Sequence, residues 1–196
     1  MRVRREEKSI HLIGFRLFLL LSIFILISLL QCSGSRSVVI IKAAGYLPDA
    51  EKPEGDDAIT RATSKDNNTH TFAERLQEKL LAQKMIVRII DYTEAKGQTF
   101  VDDLVIFAGP TWGGKLIKQI LNLNKEITIG PKTVCTCLTP CGTPSSGDKA
   151  AEHMNQYLAD AGLEVIPGMA IGAKIPADSI NIAINKFTER LVEGLK

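Results

Sequence analysis

Three short stretches carry the residue types that could hold a ligand. Asp102 to Gly114 runs from the apolar segment Leu104 to Ala108 straight into a glycine-rich loop that carries the only tryptophan of the chain, Trp112. Gly109 and Pro110 break the strand pattern, Gly113-Gly114 lets backbone come close to a bound group, and Trp112 can lie against a flat ring. The second stretch, Thr63-Ser64-Lys65-Asp66-Asn67-Asn68-Thr69, is rich in hydroxyl and amide groups and ends at the start of a helix. Free N–H groups and the positive end of a helix dipole suit phosphate there, with Ser64, Asn68 and Thr69 as further donors. An ordinary polar cap has the same composition, and Asn67-Asn68-Thr69 also fits a glycosylation sequon. The third stretch, Thr139 to Gly147, follows another apolar run and reads as a loop. Gathered at one edge, the three would hold a nucleotide-like ligand with a planar ring. His70 and His153 fall on helices with no evident acid or nucleophile beside them, so no hydrolytic constellation is visible.

The elements that must position these loops alternate between apolar strands and amphipathic helices, the pattern of a parallel sheet covered on both faces. Ser37 to Lys42 reads as a first, central strand; a long polar insertion follows, from Ala43 to Ala62. Thr69 can cap a helix from His70 to about Gln83, with Phe72, Leu76, Leu80 and Ala73 on one face. Met85 to Ile90 is the second strand, followed by a tight connection containing Gly97, and Leu104 to Ala108 is the third. Lys115 to Leu123 reads as a helix with Leu116, Ile117, Ile120 and Leu121 inward, and Thr133 to Leu138 as the fourth strand. A helix from about Ser146 to Ala161 leads to a fifth strand at Leu163 to Ile166, which Met169 to Ile171 could extend. Ala177 to Leu195 closes the chain as a helix, with Ile180, Ile184, Phe187 and Leu191 at helical spacing. The fold class expected is α/β, a doubly wound five-stranded parallel sheet.

At 196 residues the chain has room for one ordinary core. Of its 24 Lys/Arg and 22 Asp/Glu, five and two fall within residues 1–32, which leaves 19 basic against 20 acidic in the remainder. No basic surface is left to suggest nucleic acid, and none is expected as a partner. Residues 1–36 stand apart from a globular part at 37–196. The apolar run Leu17 to Leu30 follows a basic segment, in the order of a secretory signal. It is shorter than the roughly 20 apolar residues of a spanning helix, but could recruit Ile10 to Phe15. Signal peptide and membrane anchor both remain open, as does a start site extended ahead of a cytoplasmic protein. The positive-inside bias puts residues 1–16 in the cytoplasm and the globular part outside, exported or membrane-associated. Leu29-Leu30-Gln31-Cys32 has the order of a lipoprotein box, with Gln31 where a small residue is usual.

Cys135, Cys137 and Cys141 match no common zinc or cluster spacing, so no metal is expected. Cys135 and Cys137 share a strand face and read as small buried thiols, while Cys141 falls in a ligand loop.

Over about residues 37–196 the chain resembles the flavodoxin-like FMN proteins. Ser64 to Thr69 is similar to that family's phosphate loop, and Asp103 to Gly114 to its segment D-L-V-I-x-G-x-P-T-Y/W-x-G. The resemblance implies strand order 2-1-3-4-5 and FMN as cofactor. It places the phosphate at Ser64, Lys65, Asn67, Asn68 and Thr69, and the ring edge along Pro110, Thr111, Trp112 and Gly113. Thr139, Cys141 and Gly142 would line the ring's other side or edge. The function implied is electron transfer or an FMN-dependent oxidoreduction, with a redox partner or a small acceptor such as a quinone, and no catalytic side chain is required. Asp66-Asn67 stands where the family has Thr-Gly, and the third loop offers no aromatic. Both departures support the alternative, a binding module on the same scaffold without FMN.

Overall fold

The computed structural model describes residues 35–43, 68–112, 115–116, 118–123, 125–172 and 175–196, with backbone only for Trp112, Lys118 and Pro144. In chain order the elements are β1 (Ser37–Lys42), α1 (Asn68–Ala82), β2 (Ile86–Asp91), α2 (Tyr92–Ala95), β3 (Thr99–Phe100), β4 (Leu104–Ala108), β5 (Thr111–Trp112) and β6 (Lys115–Leu116). They continue with α3 (Lys118–Leu123), β7 (Thr128–Ile129), β8 (Val134–Cys141), α4 (Pro144–Asp160), β9 (Glu164–Val165), β10 (Met169–Gly172) and α5 (Ala177–Gly194).

The main sheet has the order β2-β1-β4-β8-β10, with every pairing parallel. Counting only these five strands along the chain, the order is the expected 2-1-3-4-5, with β1 interior and β4 at the centre. All five residues of β4 are buried, as a strand covered on both faces requires. Period-two alternation divides the core into two layers. Val38, Ile40, Leu104, Ile106 and Leu138 meet Phe72, Leu76 and Leu80 of α1 and Ile184, Phe187 and Leu191 of α5. Val39, Ile41, Val105, Phe107, Cys135 and Cys137 face the other way, against Ile120 of α3 and Ala150, Met154 and Leu158 of α4. Each large apolar side chain so buried stabilises the fold by about 1.5–3 kcal/mol.

At the amino edge Asp103 ties β1 to β4. Its Oδ2 accepts from the Ser37 backbone N–H at 2.7 Å and from Ser37 Oγ at 3.3 Å, while its own N–H donates to Ser37 Oγ at 3.2 Å. Arg36 Nη1 lies 3.2 Å from its other oxygen. The Ser37 N–H, chiefly, holds the Asp103 carboxyl below the usual carboxylate range; partial burial opposes this, and Arg36 assists.

Several elements differ from the sequence expectation. The connection around Gly97 contains α2 and β3, and β3 pairs in parallel with β7. Lys115-Leu116 is not the start of a helix: it is the return strand of a hairpin, with Trp112 opposite Lys115 and Thr111 opposite Leu116. Leu116 and Ile120 are both buried, so an i, i+4 apolar pair spans a strand end and a helix. The helix expected from His70 begins at Asn68, so Thr69 lies within its first turn. The fifth strand is two pieces: Glu164-Val165 pairs with Val134-Cys135, and Met169–Gly172 with Leu138–Cys141. Residues 166–168 therefore stand opposite two residues of β8, a bulge. Its Gly168 N–H donates to Asn155 Oδ1 at 3.0 Å, and a Cβ on Gly168 would lie 2.8 Å from the Cys137 carbonyl oxygen. Among the described residues no helix is long and apolar enough to cross a membrane.

Candidate ligand site at the carboxyl edge of the sheet

β8 does not end at Leu138. It runs on through Thr139, Pro140 and Cys141, so only Gly142 and Thr143 separate it from α4. Two features permit this. β10 pairs with residues 138–141 on one side, and β4 has already ended at Ala108 on the other. Leu138 and Pro140 face that second side, since the Leu138 carbonyl accepts from Gly109 N–H at 3.1 Å and the Pro140 carbonyl from Thr111 Oγ1 at 3.3 Å. The N–H that proline lacks is therefore asked for by no strand. The same two hydrogen bonds pull the β5–β6 hairpin against the end of β8, so the second and third loops of the sequence meet.

The edge is completed by β1 and α1. Ala43 N–H donates to the Ala108 carbonyl at 2.8 Å, which carries the β1–β4 ladder to its carboxyl end. There Lys42 Nζ lies 2.7 Å from Asp91 Oδ1 across β1 and β2. The crossover from β1 returns α1 antiparallel to the strands, so its first turn, Asn68-Thr69-His70, stands at the same edge, with Thr69 buried. His70, expected to have no acid beside it, has its Nε2 3.1 Å from Glu74 Oε1 one turn along.

The structure thus brings Asn68, Thr69, Pro110, Thr111, Trp112, Thr139, Cys141 and Gly142 to one edge. Ser64, Lys65, Asn67 and Gly113 lie outside the described residues, as does Asp66. Thr139, expected in a loop, is a strand residue with no exposure, and its hydroxyl has no hydrogen-bond partner among the described residues. Cys141, also expected in a loop, is the last residue of β8 and is buried; a Cβ on Gly147 would lie 2.8 Å from its Cβ and 2.7 Å from that of Ala170. The thiol thus packs beneath the first turn of α4. Gly142, by contrast, is exposed with open space around it. Cys135 and Cys137 are deeper in the core, where burial pushes both thiols up to about 12. Burial, and then the Asp148 carboxylate, raises Cys141 as well.

No family model matches the chain, and no curated protein does. Solved structures do. Flavodoxin 1 from Bacillus cereus superposes with a TM-score of 0.56 at 14% identity, over 83% of this chain and 100% of that one. A Fusobacterium nucleatum flavodoxin bound to flavin mononucleotide gives 0.56 at 12% identity, over 82% and 99%. The fold is flavodoxin-like. Rubredoxin:oxygen oxidoreductase from Desulfovibrio gigas is also similar, with a TM-score of 0.53 at 11% identity over 81% of this chain, which spans 36% of that longer one. In a flavodoxin-like sheet the strand order reverses at β1, whose neighbours β2 and β4 are reached by crossovers in opposite directions. The crevice outside the carboxyl ends of β1 and β4 is the topological switch point, where open α/β sheets take their ligands.

Proposed function

We propose that this flavodoxin-like domain binds FMN at the carboxyl edge and serves in electron transfer or as an FMN-dependent oxidoreductase. Residues 1–36 would hold it at a membrane or direct its export. The observation that carries the reading is the Thr111–Pro140 hydrogen bond, which sets the hairpin and the end of β8 side by side at the switch point. Flavodoxins bind FMN in that crevice. The residues present fit a flavin. The Thr139 hydroxyl is buried without a partner among the described residues, and the space beside Gly142 is open to a ring edge. Pro110, Thr111 and Trp112 would form the ring-side wall. Asn68, Thr69 and the N–H groups of the first turn of α1 would take the phosphate, together with Ser64, Lys65 and Asn67. The bound flavin supplies the electron-carrying chemistry, and the protein's part is to orient it and limit its contact with water.

The test is the visible spectrum of the purified full chain in detergent after incubation with FMN. Flavin absorbance that stays with the protein through gel filtration, with fluorescence quenched, supports the reading. A colourless protein that leaves FMN fluorescence unchanged refutes it and favours the binding module without FMN. Trp112→Ala should weaken binding and restore fluorescence.

A further inference from the structure

The amino edge of the sheet exposes apolar side chains. Four large apolar side chains are exposed among the described residues, and three of them stand at the amino edge: Val101 at 79%, Ile86 at 64% and Leu81 at 49%. Ile86 opens β2, Val101 precedes β4 by three residues, and Leu81 is in the last turn of α1. The fourth, Ile182, is in the second turn of α5. Lys84, Lys132 and Lys196 are exposed in the same amino-edge region, as are Glu78, Glu164 and Glu193, while Asp102 and Asp103 are engaged by Arg88 at 2.7 Å and by Arg36 at 3.2 Å. Exposed apolar side chains with charged groups of both signs about them suit a lipid headgroup region.

The chain also enters at this edge. Ser35 is exposed, and the Arg36 carbonyl accepts from Ile86 N–H at 2.9 Å, beside the apolar group. Only Gln31 to Arg36 separate the apolar run ending at Leu30 from β1. Fully extended, those six residues reach at most roughly 20 Å.

We propose that the amino edge, with Leu81, Ile86 and Val101, rests on the lipid surface, so that the carboxyl-edge site opens toward water and meets a water-soluble redox partner. This rests on the proposed membrane tether. The length of β1 sets the site roughly 20 Å beyond the lipid-facing edge. A quinone dissolved in the bilayer would be on the wrong side of the sheet.

The test uses the full chain reconstituted in vesicles of phosphatidylcholine and phosphatidylglycerol, with Val101 or Asp178 replaced by the photo-crosslinking residue benzoylphenylalanine. Asp178 is exposed in the first turn of α5, at the carboxyl edge. After flotation and irradiation, the position-101 protein should carry several-fold more lipid adduct than the position-178 protein, by mass spectrometry. Equal adducts, or more at 178, would overturn the orientation while leaving the tether standing. A protein that does not float with the vesicles would overturn tether and orientation together. Protein–protein crosslinks at 101 in place of lipid adducts would make this edge an interface between copies and overturn the proposal. None of these outcomes depends on bound FMN, so the cofactor reading stands or falls separately.

Discussion

Thr111 Oγ1 donates to the Pro140 carbonyl at 3.3 Å, and this bond joins the hairpin after β4 to a strand end that can donate no ladder bond there. It links two segments 29 residues apart, both of which belong to the proposed ring-side wall. Removing the hydroxyl leaves a buried carbonyl without its partner and frees the hairpin. Thr111→Val should therefore weaken FMN binding by roughly 3- to 10-fold, the equivalent of one ordinary hydrogen bond. Titration of flavin fluorescence measures this, and a thermal melt should show little change, because the core layers are untouched.

Gly147 and Gly168 both lie against cysteines of β8, but only the first is at the proposed site. An added methyl at Gly168 would meet the Cys137 carbonyl oxygen at 2.8 Å, and one at Gly147 would meet Cys141 Cβ at 2.8 Å and Ala170 Cβ at 2.7 Å. Each alanine variant should lose about 1–3 kcal/mol of stability in urea unfolding. Gly147→Ala should in addition lower FMN affinity, by shifting the end of β8. Gly168→Ala should leave it as in the wild type.

The buried thiols predict inertness at ordinary pH and sensitivity to alkali. With Cys135 and Cys137 held near 12 in the fold against 9.0 unfolded, neither should react with a thiol reagent at pH 8 until urea is added. Because the folded state keeps these protons longer than the unfolded chain, stability is constant below about pH 9 and falls as pH rises from 9 toward 12. Cys135→Ser and Cys137→Ser should each flatten that alkaline decline in a Tm-against-pH series.

Asp103 predicts the opposite limb. Its carboxyl is lowered in the fold, so its contribution is present above the unfolded value of 3.8 and is lost as pH falls through the folded value. Asp103→Ala should cost about 1 kcal/mol at neutral pH, a modest figure because the group is partly exposed. The Tm gap from wild type should narrow as pH drops below about 4, the range in which the carboxylate becomes protonated.

The core of this fold was legible in local pattern. Leu104 to Ala108 and Ser37 to Lys42 are apolar runs that only burial on two faces explains, and both are strands with the expected limits. The faces of α1 and α5 followed from the spacing of Phe72, Leu76 and Leu80 and of Ile184, Phe187 and Leu191. The site was legible as a set of loops, and less so as geometry. Pro140 reads locally as a strand breaker, yet it sits within β8 because the neighbouring strand has stopped. Lys115-Leu116 reads as the opening of a helix because a buried strand end and a buried helical position can fall four residues apart by coincidence.

What the sequence determined by itself was the alternation of strands and helices and the chemistry of the loops, because hydrophobic period and residue type are local properties. Tertiary structure alone decided the length of β8, the bulge at residues 166–168 that divides its partner strand, and the Thr111–Pro140 contact. It also decided that Leu81, Ile86 and Val101 are exposed together at the amino edge. Each of these depends on which strand ends beside which, and pairing across a sheet joins residues that are distant in sequence.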